Sequence, residues 1–150
     1  MFRQALIGIA LMLGLAGAGA AWAQTDHPAY AAGQVWTYHT RPGDDGSLLK
    51  IQQVEDDPAL TKLGPIYHIS IIRVHLGPTR GLNEIGHSPV SKETLDKSVV
   101  ALVKTEAAFP DASGGIEQWR AAKGGVFTIS VAEIVDLIDK AVTQQPDPAA

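Results

Sequence analysis

The strongest hydrophobic pattern in the chain runs from Ile66 to Leu76, where apolar residues occupy most positions. Because side chains alternate along a strand, Ile72 and Val74 fall on one predicted face, and Ile69 and Ile71 on the other. A strand with apolar residues on both faces is typical of the interior of a sheet that is covered on both sides. The pattern therefore predicts a central strand at this position.

Two earlier segments also have the composition of strands. Residues 33–41 contain Val, Trp, Thr and Tyr, which fit a pleated, half-buried surface, and residues 48–55 continue the pattern. Residues 42–47, between them, are rich in Pro, Gly and Asp and predict a turn. Together with the central strand, these segments predict an antiparallel meander of three strands.

Breaker residues follow the central strand. Gly77 and Pro78 end it, and Gly81, Gly86 and Pro89 interrupt the next stretch, so residues 79–89 are predicted to form a loop.

Helical spacing appears in the second half of the chain. Ser91 is a suitable N-cap for a helix extending to Lys104, with an apolar stripe at Leu95, Val99, Leu102 and Val103. A short helix is predicted over Ile116–Lys123. The last helix begins after Ser130, with Glu133 as its capping-box partner.

A short apolar run, Val126–Ile129, predicts a late fourth strand that joins the sheet. Strands followed by helices indicate an α+β fold, here three meander strands plus the fourth, with two main helices packed on the sheet. The single domain is expected over residues 34–143, after an extended lead-in at 24–33 and before a disordered tail at 144–150.

The first 23 residues have the organisation of a secretory signal peptide. Arg3 precedes the apolar run Ala5–Leu15, and Ala21-Trp22-Ala23 matches the small-residue cleavage pattern. A membrane anchor is the alternative, since residues 5–23 carry no charge. The short apolar core and its glycines favour cleavage, and the expected location is periplasmic or secreted, with no membrane association afterwards.

Composition narrows the functional classes. The chain has 150 residues and no cysteine, which excludes disulfides, thiolate metal sites and cysteine nucleophiles. Its formal net charge is -4, which argues against a nucleic-acid partner. Both methionines lie within the signal, so the mature chain contains neither of the side chains most easily oxidised.

Three stretches resemble a group of small bacterial proteins of unknown function. They are Gly33–Tyr38 with Thr40-Arg41, the turn at Gly46-Ser47, and Val126–Ile129 followed by Val131–Glu133. The resemblance implies one compact domain. It implies no activity, cofactor or site residue.

No motif in the sequence indicates a cofactor or metal. His68 and His75 are seven positions apart, so an unbulged strand directs them to opposite faces. The acidic clusters near Asp44 and Asp56 lie in turns, where Asp is common for local backbone bonding. Nucleophile elbows and phosphate-binding glycine loops are absent from the sequence.

Surface recognition is the remaining candidate chemistry. Aromatic residues and arginine anchor many interfaces. Alternatively, Trp36 and Tyr38 are core residues beneath a helix, and Arg73 must reach solvent or meet a carboxylate. The candidate ligand- or partner-binding residues are Trp36, Tyr38, Arg41, His68, Arg73 and His75.

Three functional hypotheses follow. The first is a non-enzymatic exported binding or accessory protein that acts on a protein or small ligand through a sheet face or edge. The second is a small hydrolase or lyase with a site of His68 or His75, Arg73 and a turn carboxylate. The third is a structural component of the envelope.

Overall fold

The computed structural model describes residues 28–59, 62, 64–78 and 81–145. The predicted signal peptide, the first residues of the lead-in and residues 146–150 of the predicted tail lie outside the described residues.

The fold is α+β, built on an antiparallel sheet of five strands in the order β4-β3-β2-β1-β5. The predicted fold class and the three-strand meander are confirmed. In chain order the elements are β1 Val35–Tyr38, β2 Leu48–Glu55, β3 Ile66–Leu76, β4 Leu82–Ser91, α1 Lys92–Ser98, β5 Val99–Val103, α2 Ser113–Ala122 and α3 Val131–Gln144.

The loop predicted over residues 79–89 is wrong for most of its length, because β4 pairs with β3 there. Gly86 and His87 lie opposite Ser70 at a break in the register, so the glycine occupies a bulge. Pro89 is tolerated because β4 is an edge strand, where a missing amide hydrogen costs little.

The helix predicted over residues 91–104 divides into two elements. α1 ends at Ser98, and Val99 is already extended, with φ −73° and ψ 149°. The following residues form β5, which pairs antiparallel with β1. Valine fits both a helical stripe and a strand, and pairing with β1 decides between them.

Residues 126–129 do not form the predicted fourth strand. Phe127 makes a single parallel bridge to Val90. Its amide donates to the carbonyl of Pro89, and its carbonyl accepts from the amide of Ser91. This bridge covers part of the outer edge of β4.

The predicted last helix is confirmed as α3. Its capping box is complete, with Ser130 Oγ accepting from the amide of Glu133 and the Glu133 carboxylate accepting from the amide of Ser130. The predicted short helix begins earlier than expected, at Ser113, and Lys123 follows it in the left-handed conformation.

The two faces of the sheet are covered differently. On the first, here called the helical face, α1 and α3 cover the main core, which includes Trp36, Ile69 and Ile71. On the second, here called the loop face, the segment 104–112 packs against a smaller cluster of Val35, Leu48 and Ile72. α2 also lies on the loop face, so the three helices are not on one side.

Arg73 interrupts the alternation of β3. Its φ is 61°, in the left-handed region, and the β3–β4 register shifts between Ile72 and Leu76. Residues 73–75 of β3 lie opposite the single residue 83 of β4, and the alternation breaks at Arg73, so Val74 and Leu76 join Ile69 and Ile71 in the main core. The prediction that Val74 shares a face with Ile72 is therefore wrong.

Candidate functional site

Two of the predicted site residues are in the core. Trp36 is 1% exposed and donates from Nε1 to Gln34 Oε1 at 3.2 Å. Tyr38 is buried too, and its hydroxyl lies 2.7 Å from Ser47 Oγ. Burial raises the pKa of Tyr38 to about 12. These placements fit the alternative interpretation, in which both aromatics are core residues.

Arg41 joins the β1–β2 turn to α3. Its Nε donates to Asp44 Oδ2 at 2.7 Å, and its Nη1 donates to Asp139 Oδ2 at 2.8 Å. Asp139 Oδ1 also accepts from the amide of Gly77, just beyond β3. The guanidinium therefore connects the turn, the end of β3 and the last helix.

Asp44 is the centre of this ionic network. Its side chain is 2% exposed, and Oδ1 accepts from the backbone amide of His75 at 3.0 Å and lies 3.1 Å from His75 Nδ1. Burial acts to raise the pKa of Asp44, but hydrogen bonds from Arg41 and His75 outweigh it, so the pKa is lowered. A turn carboxylate does meet His75, as the enzyme hypothesis requires, but the groups hold the turn to β3.

His68 lies in a second polar cluster, beneath α2 on the loop face. Its ring is fully buried, with Nδ1 2.8 Å from His87 Nε2. The Trp119 ring packs edge-on against it, with the centroids 5.0 Å apart. Glu55, also buried, accepts from Arg120 Nε at 2.7 Å.

The contact between His68 and Glu55 is longer than a hydrogen bond. His68 Nε2 lies 3.5 Å from Glu55 Oε1 and has no hydrogen-bond partner. In the tautomer that best satisfies the cluster, His87 Nε2–H donates to His68 Nδ1, and His68 Nε2–H points at Glu55. Both histidines are then neutral.

Burial disfavours a positive charge on either ring. It lowers the pKa of His68 to about 4, with a further contribution from His87, and it also lowers the pKa of His87. The cluster contains a histidine, a carboxylate and an arginine, but the His68 ring has no exposed surface on which a substrate could bind. Its chemistry is that of a neutral buried hydrogen-bond pair.

The part of the chain that the structure describes contains no candidate metal site. No three histidine, aspartate or glutamate side chains there come together in a group that could hold an ion. Nor, among the described helices, is any long and apolar enough to span a membrane.

Arg73 lies apart from both clusters, at a shallow groove on the loop face. The groove has a volume of about 290 Å³, and its lining includes Ile72, Arg73 and Glu84. Arg73 is exposed, and Ile72 and Glu84 are cross-strand partners. The enzyme hypothesis needs Arg73 beside His68 or His75, and neither histidine is among the residues that line this groove.

The free edge of β5 is the most apolar exposed strand surface. Val100 and Leu102 are 48% and 47% exposed, and β5 contains neither charge nor proline. The Ala101 amide donates to Thr37 Oγ1, so the Ala101 backbone faces β1. Because backbone direction alternates along the regular part of a strand, the amide and carbonyl of Leu102 face away from the sheet, while Val100 is the unpaired residue of the bulge between Val99 and Ala101.

Sequence reasoning missed Trp119, Arg120 and Glu84 as members of polar sites. Their positions depend on bulges and on a helix that returns to the loop face, and neither has a local signature. Three of the five β5 residues are valine, which is a local signal for a strand, but the same residues fit the predicted helical stripe and only pairing with β1 decides between them.

Comparison with known proteins adds no relatives. No family model matches this chain, and neither a curated protein nor a solved structure matches it.

Proposed function

We propose that this protein is a non-enzymatic exported binding or accessory protein that acts through the free edge of β5. The occupant is an extended apolar segment of another protein, which adds to the sheet as a sixth strand. The observation that carries the proposal is the exposed, uncharged edge formed by Val99–Val103.

The two edges of the sheet differ in how they are protected, and this difference supports β5 as the binding edge. Phe127 bridges β4 at one edge, using hydrogen bonds to Pro89 and Ser91. Natural sheets protect open edges with charges, prolines, bulges or coverage, because unpaired strands recruit other chains. β5 has only a bulge on its inner side, opposite Thr37 and Tyr38, and no charge on the strand.

Backbone pairing supplies affinity in strand addition, and alternate side chains supply selectivity. The outward backbone groups of Leu102 give an incoming strand a donor and an acceptor beyond the bulge. The half-exposed side chains of Val100 and Leu102 favour an apolar segment over a charged one.

A photo-crosslinking residue at Leu102, in the native host, tests the proposal. Leu137 on α3 is the matched control, since it is 50% exposed and also apolar. We expect a discrete adduct from position 102 that is absent from position 137, and we expect Val100→Lys to abolish it. Equal adducts at both positions, or none at 102, would contradict the proposal, and an adduct with a second copy of this chain would replace the proposed partner.

Export is the second part of the proposal, and it rests on the pattern of Arg3, the apolar run at 5–15 and Ala21-Trp22-Ala23. Mass spectrometry of the protein from its native host should find an N-terminus at or within a few residues of Gln24. A protein that retains Met1 in bulk would contradict export and leave the strand-addition part open to its own test.

The alternative, a small hydrolase or lyase, has one favourable observation, the convergence of His68, Glu55 and Arg120 under α2. Because His68 is buried, this cluster supports an enzyme less strongly than the exposed edge of β5 supports a binding protein.

A further inference from the structure

The groove at Arg73 carries an inference that is independent of β5. Its apolar lining residues are Ile72, Ala107 and Ala108, and its polar lining residues are Arg73, Asn83 and Glu84. The walls therefore come from β3, β4 and the segment that crosses the loop face.

The polar side chains of this groove are not used by the fold. Within the ranges that the structure describes, Arg73, Asn83 and Glu84 make no side-chain hydrogen bond or ion pair. By contrast, Arg41 forms ion pairs with Asp44 and Asp139. Arg73 and Glu84 thus leave a cationic and an anionic group available on opposite strands.

Arg73 also has an unusual backbone conformation, with φ 61°. The left-handed region disfavours residues with a Cβ, and among the described residues glycine occupies the other positive-φ sites that lie in turns and loops. Lys123 is the remaining exception, and it closes a helix, where a left-handed residue is common. An arginine held in this conformation on a bulge is a strained residue of the kind that occurs at ligand sites.

The groove also limits the ligand. Its volume lies just below the usual range for small-molecule sites, so only a small ligand fits. A guanidinium prefers a carboxylate, and a carboxylate prefers an ammonium group, while the Asn83 amide can both donate and accept. Ile72, Ala107 and Ala108 offer apolar contact to a short aliphatic side chain.

We propose that the groove binds a zwitterionic amino acid, with its carboxylate on Arg73, its ammonium group on Glu84 and its side chain against Ile72. The site is open to solvent, so the expected affinity is millimolar. It is independent of strand addition, because β5 contributes no residue to the groove.

An NMR titration of the purified protein with L-leucine tests this inference. We expect saturable amide shifts confined to the residues around Arg73, Asn83, Glu84 and Ala107. Acetate and n-butylamine each carry one of the two charges and should bind at least about tenfold more weakly. No shift at tens of millimolar L-leucine, or equal binding of either control, would overturn the inference.

Substitutions separate binding from folding. Arg73→Asn removes the charge but tolerates the left-handed conformation, so L-leucine affinity should fall at least about tenfold while the melting temperature holds or rises. Glu84→Gln should weaken L-leucine binding and leave the weak binding of acetate unchanged. Unaltered L-leucine affinity in Arg73→Asn would refute the assigned role of the guanidinium.

Discussion

His68 and His87 are joined across the β3–β4 pair by one hydrogen bond, with 2.8 Å between Nδ1 of the first ring and Nε2 of the second. The ring planes are 27° from parallel and the ring centroids are 5.0 Å apart, so the two rings meet edge to edge. One proton between the two nitrogens satisfies both, and charging both rings would place two N–H groups opposite each other. A single charge would keep the hydrogen bond, but burial disfavours it, because it lowers the pKa of both histidines.

This relationship predicts that the protein loses stability in mild acid. The pKa of His68 is about 4 in the folded state, below its ordinary value near 6.5 in the unfolded chain. Between these values the unfolded state binds the proton and the folded state does not. The contribution of His68 is complete above pH 6.5 and declines as pH falls toward 4, by at most about 1.4 kcal/mol for each pH unit.

Urea denaturation from pH 7.5 to pH 4.5 measures this slope. In His68→Gln the dependence on pH should be shallower, even though the variant is less stable throughout. The control is His39→Gln, because His39 is exposed and should leave the slope unchanged. A wild-type stability that is constant over this range would contradict the assignment of a neutral pair.

Asp44 is expected to stabilise the fold more than its neighbour Asp45. Asp44→Ala removes the buried acceptor for Arg41 and for the His75 amide, so we expect a loss of about 3 kcal/mol in the free energy of unfolding. Asp45 is exposed in the same turn, and Asp45→Ala should change stability by less than about 0.5 kcal/mol. Denaturant melts of both variants give the comparison, and similar losses would show that the turn, not the network, is responsible.

Both faces of the sheet are covered, so we expect truncation of a buried side chain on either face to destabilise the protein. Ile71 is 0% exposed on the helical face and Ile72 is 7% exposed on the loop face. Ile71→Ala and Ile72→Ala should each lower the free energy of unfolding by more than about 2 kcal/mol, because each leaves a cavity. Leu137→Ala is the exposed control, at less than about 1 kcal/mol. A small effect of Ile72→Ala alone would mean that segment 104–112 covers its face poorly.

The capping box of α3 should be measurable in thermal melts. Ser130→Ala removes the acceptor for the Glu133 amide, and we expect a loss of about 1 kcal/mol. Asparagine is an equally good N-cap, so Ser130→Asn should retain most of that stability. Equal losses in the two variants would indicate that Ser130 acts through packing instead.

Local chemistry was enough to predict the β1–β2–β3 meander, the α3 cap and the covered strand at β3. Local chemistry failed to predict β4, because glycine and proline usually interrupt a strand. Here Gly86 lies in a bulge and Pro89 lies on an edge strand, and both positions tolerate these residues. Local chemistry failed at β5 because valine and leucine fit both elements, and the pairing partner in β1 is distant in sequence.

The polar sites depended even more on distant contacts. In the sequence, Glu55 is an acidic residue at the end of a predicted strand. Its contact with Arg120 forms only because α2 packs against the same face of the sheet. The left-handed conformation of Arg73 changes which side chains share a face, and alternation alone cannot reveal a bulge.

The position of β1 between β2 and β5 has a consequence for the order of folding. β2, β3 and β4 are joined by short connections, whereas Thr37 and Ala101, which pair across β1 and β5, are 64 residues apart. Closing so long a loop costs entropy before any pairing stabilises it. We expect β5 to dock last and to detach first, so that amide exchange reports a low-energy opening at this edge while β3 exchanges only through global unfolding.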